Sequence, residues 1–170
     1  MRTLPLLLSL AILHGMASAQ QNPSPDQDKR SEAVVKRGGH VMGFSHEATT
    51  HHFRLFSDGG EIDVRANDSK DKASIDQIRT HLGHISKMFA SGNFNAPMLI
   101  HDTNPPGTAT MNRLKEQIRY EFSETDRGAR IRLVTSSPET TDAVHAFLLF
   151  QIVDHQTGDA ATISGDLPKR

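Results

Sequence analysis

Twice along this chain, two short runs that alternate apolar and polar residues are broken by a turn signal and followed by a stretch with helical period. No other feature limits the fold so strongly. In the first copy, "HHFRLF" and "EIDVRA" flank Ser57, Asp58, Gly59 and Gly60. Phe53, Leu55, Ile62 and Val64 alternate with polar neighbours, and Asp58-Gly59-Gly60 tolerates the positive φ of a hairpin turn. Asn67, Asp68 and Ser69 offer N-cap chemistry for a helix from about Lys72 to Ala90. Its apolar stripe is Ile75, Ile78, Leu82, Ile85 and Phe89, at three-to-four spacing, and Gly92 fits its stop. In the second copy, "QIRYEFSE" and "ARIRLVT" read as a hairpin around Asp126-Arg127-Gly128. Ser136, Ser137 and Pro138 then open a long helix to about His155. Its block "AFLLFQIV" is apolar on most of the circumference, which fits a buried element or a partner interface.

Between the copies, "APMLIHD" reads as a short strand, "NPPG" as a break and Thr108 to Lys115 as a short helix. The expected class is α+β: an antiparallel sheet from two hairpins, with two long helices packed on one face in ββα-ββα order.

The flanks read differently. Residues 1–19 carry Arg2, an apolar run through Leu13 and the small residues Ala17-Ser18-Ala19, the pattern of a secretory signal peptide cleaved before Gln20. A periplasmic or secreted location is expected, with no membrane span left after cleavage. Residues 20–38 are polar, charged and punctuated by Pro23 and Pro25, and are expected to be flexible. The single α+β domain is expected over 39–157, followed by a flexible tail over 158–170.

The chain has no cysteine, so disulfides, thiolate metal sites and thiol catalysis are excluded, and the core alone must hold the fold. Loss of residues 1–19 removes Arg2 and no acid, taking the formal net charge from −1 to −2. Neither a nucleic-acid binder nor a membrane-surface binder is indicated. The unusual element is histidine: nine of the ten residues lie beyond residue 19.

Three groupings carry candidate chemistry. In "RGGHVMGFSHEATTHHF", His40, Met42, His46, His51 and His52 fall close together. Imidazole suits zinc, copper or nickel, and a thioether adds preference for copper. Adjacent strand residues face opposite ways, so His51 and His52 cannot both serve one ion. The zinc-protease spacing "HExxH" is missed, because His46 and His51 are five residues apart. On the first long helix, His81, His84 and Met88 stand at i, i+3 and i+7, within roughly 60° of one another. Third, His101 and Asp102 place an imidazole and a carboxylate at a loop mouth. No "GxSxG" elbow, phosphate-binding glycine loop or dinucleotide fingerprint is present.

The segments "VMGFSHEATTHHF", "IRTHLGHISKMFASGNFNAPMLIHD", "NPPGTATM" and "HAFLLFQIVDHQTGD" resemble a family of small, exported, uncharacterised bacterial proteins. Members sometimes carry the label aspartate carbamoyltransferase. The "STRT" loop with which that enzyme holds carbamoyl phosphate is absent from this chain. The resemblance therefore implies export and no mechanism.

The leading expectation is an exported soluble binding protein that coordinates copper or zinc through His46, His51, His81, His84 and Met88, with Met42 as a soft candidate. Two alternatives stand beside it. One is a non-enzymatic, pH-sensitive module that binds a partner or forms a homodimer. The other is a small hydrolase using His101 and Asp102.

Overall fold

The computed structural model describes residues 25–165. The signal peptide expected at residues 1–19 lies outside them. Both hairpins form. Strand β1 (Thr49–Phe56) pairs with β2 (Gly59–Ala66), and β3 (Arg119–Thr125) pairs with β4 (Gly128–Val134). The hairpins join through an antiparallel β2–β4 ladder, giving one sheet in the order β1-β2-β4-β3. Register explains the core. Phe53, Ile62, Ile131 and Phe122 lie across from one another, as do Leu55, Gly60, Leu133 and Tyr120. All of them project to one face.

That face receives the two long helices. Helix α2 (Lys72–Ala90) packs on β4, β3 and β2, and α5 (Pro138–Asp154) packs on β1 and β2. The α2 stripe predicted from its spacing is fully buried, from Ile75 to Phe89. Asp71 caps the helix, its carboxylate accepting from the Ser74 N–H at 3.1 Å. The apolar circumference of α5 is used on several sides, against the sheet, α4 (Thr108–Arg113) and α1 (Pro25–Met42). Gly60 sets how closely α5 approaches. A Cβ there would run into Leu148 Cδ1 and come within 2.6 Å of the Arg54 carbonyl oxygen.

The opposite face of the sheet is a lattice of ion pairs. Glu61 and Asp63 are almost wholly buried there, although no helix among the described residues covers them. Arginines do: Arg54 reaches Glu61 at 2.6 Å, and Arg65 grips both oxygens of Asp63 at 2.6 and 2.9 Å. The charge-assisted, two-pronged bond to Asp63 offsets the cost of taking that carboxylate from water, while Glu61 is bonded through Oε1 alone among the described residues.

Three expectations about local structure are corrected. The chain is helical from Pro25 to Met42, where residues 20–38 read as flexible. Helix α1 has no broad apolar stripe. It is fastened by Val34 and Met42 in the core and by polar contacts: Arg30 to Asp154 at 2.6 Å and Arg37 to the Ile100 carbonyl at 2.7 Å. The segment read as a strand is helix α3 (Asn95–His101). Its Pro97 stands in the first turn, where a missing N–H leaves no bond unmade. The tail is docked as far as the structure describes it. Asp159 accepts from the Phe53 N–H and from the His52 ring, each at 2.9 Å, and Ser164 N–H donates to the Leu55 carbonyl at 2.8 Å. These bonds occupy the free edge of β1, which would otherwise expose unpaired backbone. Among the described residues, no helix is long and apolar enough to cross a membrane.

Candidate functional site

The helices and the sheet do not close completely at the end nearest the α1–β1 loop. There, four imidazoles gather. His46 comes from that loop, whose shape is fixed by Thr49 Oγ1 donating to the Ser45 carbonyl and Asn67 Nδ2 donating to the Glu47 carbonyl. His51 comes from β1 and faces inward, while its neighbour His52 faces outward to Asp159. Facing opposite sides of the strand, those two rings cannot share an ion. His155 follows the last residue of α5, and its N–H still bonds the Gln151 carbonyl. His101 ends α3 and is 3 % exposed.

Three of these rings form a nearly equilateral triangle. Centroid separations are 5.0 Å for His46–His51, 5.5 Å for His51–His155 and 5.7 Å for His46–His155. The three planes lie within 12° of one another. His46 Nε2 and His155 Nδ1 are 3.5 Å apart. With centroids at 5.7 Å, that short nitrogen distance means the two rings meet edge to edge rather than face to face. His101 stands perpendicular to His155 at 5.0 Å.

His101 is held by side chains that sequence reading did not assign to it. Its Nδ1 lies 2.7 Å from Asp154 Oδ2 and its Nε2 lies 2.9 Å from the Gln151 amide. A neutral ring that donates from Nδ1 must accept at Nε2, so the Gln151 amide is assigned with its NH₂ toward the ring. Asp154 is in turn held by Arg30. Both ring nitrogens of His101 are therefore occupied. Asp102, the partner expected from adjacency, is exposed at φ +54° beyond the helix end. The His101–Asp102 pair thus does not form the site expected for a hydrolase.

Burial holds these rings unprotonated. His51 is pushed down to about 3, mainly by burial and further by the neighbouring imidazoles of His46, His81 and His52. His155 is driven well below its usual value by burial and by His51, His101 and His46. Burial also lowers His46. For His101, burial outweighs the Asp154 carboxylate, which pulls the other way. A neutral imidazole offers one donor and one acceptor. Among the described residues, neither nitrogen of His51 has a hydrogen-bond partner, although both are buried. An unpaired polar atom at such depth is uncommon and costs of order 1–3 kcal/mol.

Behind the rings lies a cavity of about 70 Å³. Its wall comes from the sheet (Phe53, Ile62, Val64, Ile131), from α2 (His81, Leu82, Ile85, Phe89) and from α5 (Phe147, Gln151), with Ala96, Pro97, Ile100 and His101 from α3. Met42 and Phe44 close it on the loop side.

The residues named from sequence divide accordingly. His46 and His51 meet, Met42 lines the cavity, and His81 reaches it from α2. Phe44 packs against both His51 and His81, at 6.1 and 5.6 Å between centroids. His84 is exposed on an open groove, and Met88 packs against the core. Of the strip His81, His84 and Met88, the two histidines therefore share that groove with Met42, His81 also reaching the cavity, while Met88 turns to the core. Sequence reasoning missed His155, which completes the triangle. The only signal was its place after Gln151 and Asp154, all three at one end of a helix that otherwise reads as core. Among the described residues, no three His, Asp or Glu side chains have donor atoms gathered to hold an ion as they stand.

No protein-family model matches the chain, and comparison with curated proteins and with solved structures likewise gave no match.

Proposed function

We propose that this is an exported binding protein that takes a transition-metal ion, copper or zinc, on His46, His51 and His155. The observation that carries this reading is the triangle of neutral imidazoles, His51 buried and His46 and His155 half-buried, in which His51 has two nitrogens without partners among the described residues. Metal binding requires the unprotonated ring, and burial supplies it well below neutral pH. The spacing also suits the chemistry. The middle of the triangle lies about 3 Å from each ring centre, close to a metal–nitrogen bond of about 2.0–2.1 Å plus the half-width of the ring. What remains is rotation of the rings about their Cβ–Cγ bonds, a soft motion in histidine. With no thiolate and no carboxylate at the triangle, the donor set favours copper or zinc over calcium or magnesium.

Calorimetric titration of chelator-treated protein with Cu(I) or Zn²⁺ tests the reading. One equivalent is expected to bind. His51→Ala and His155→Ala are each expected to weaken binding at least tenfold while still melting cooperatively, and His84→Ala is expected to bind as the parent does. Failure of both ions to bind would overturn the proposal, as would an equal loss in His84→Ala.

A further inference from the structure

A second binding capacity lies behind the rings. The cavity of about 70 Å³ is several times what one water needs, by the measure of roughly 10–15 Å³ per water. Its polar wall is four imidazoles, of His51, His81, His101 and His155, and Gln151; most of the remainder is aliphatic or phenyl, from residues such as Ile62, Val64, Ile85, Phe89, Ile131 and Phe147. Against the aliphatic and phenyl wall a water finds none of the two to four partners it requires. Wholly apolar cavities stay dry, and one of about 150 Å³ takes up benzene or xenon; here the apolar wall is the larger part. Well-packed interiors leave few such voids, and each carries lost dispersion contacts. Four elements keep this one open, since sheet, α2, α3 and α5 all contribute to its wall.

We infer that the cavity is a binding site for a small, uncharged, apolar molecule of a few heavy atoms, the size class of dioxygen or xenon. It does not depend on a bound metal. A molecule seated there stands against the rings of His51 and His155, on the side from which it would meet an ion those rings hold.

Xenon is the probe, applied to chelator-treated, methyl-labelled protein and followed by NMR. Saturable shifts are expected for the methyls of Ile62, Val64, Ile85 and Ile131, with none at the exposed Leu99 and Val153. Ala96→Leu puts a side chain into the cavity and is expected to weaken xenon binding at least tenfold while leaving the fold's methyl spectrum dispersed. Ile85→Val enlarges it and is expected to keep or strengthen binding. Shifts that rise linearly without saturation, or that affect exposed and cavity methyls alike, would overturn the inference. So would an Ala96→Leu protein that stays folded and binds xenon unchanged. Because the protein is metal-free throughout, these outcomes are independent of whether copper or zinc binds.

Discussion

Moving the protein from pH 7 to pH 5 should remove a large part of its stability, and His51 should account for much of the loss. In the unfolded chain an imidazole takes its proton near pH 6.5; in the fold, His51 resists until about pH 3 and His81 until about pH 4. Between those values the unfolded state binds more protons than the native state, so stability falls as pH falls. The stabilisation is intact above about pH 6.5 and is progressively lost below it. Integrated from pH 7 to pH 5, each of these two rings costs about 2 kcal/mol, roughly 4 kcal/mol together. His46, His101 and His155 are shifted in the same direction and add to the effect. For a chain of this length, 4 kcal/mol corresponds to a fall in Tm on the order of 10 °C. The assay is urea unfolding at both pH values with a chelator present, repeated on His51→Leu, which cannot take the proton. The variant should lose about 2 kcal/mol less than the parent over the same interval. A parent whose stability changes by less than about 1 kcal/mol between pH 7 and 5 would refute the reasoning. A variant as pH-sensitive as the parent would also refute it.

Two further predictions concern the scaffold. Gly60→Ala forces a methyl group into Leu148 and the Arg54 carbonyl, and should cost about 1–3 kcal/mol in urea unfolding while leaving the m-value unchanged. Asp154→Asn removes the charge shared by Arg30 and His101. It should cost about 2 kcal/mol and, measured by hydrogen exchange, should loosen α1 more than α2.

Much of the fold was legible because its signals are local and periodic. Alternation in Phe53-Leu55 and Ile62-Val64 set the first hairpin, and the stripe from Ile75 to Phe89 set α2 to its observed ends. Helix α1 was not legible, because what fastens it is tertiary. Arg30 and Arg37 find partners on α5 and α3, and no composition rule anticipates a guanidinium on a distant carbonyl. The same reasoning divides the site. His46 and His51 drew notice as neighbours in sequence. The helical spacing of His81, His84 and Met88 was read correctly as geometry, yet only the two histidines share a groove, with Met42, while Met88 packs against the core. His155 passed as an end-of-helix polar residue, since its role rests on contacts 54 and 109 residues away, to His101 and His46.

The wide separation of His46 and His155 along the chain also has a temporal meaning. A stretched polypeptide, such as one threading through a narrow channel, presents its histidines singly, each no better a ligand than free imidazole. The three rings become neighbours only when α5 has come down on β1 and the α1–β1 turn has settled, steps that close long loops and come late. Any ion they hold is therefore acquired at the place where folding is completed, and its uptake doubles as a report that the last helix is home.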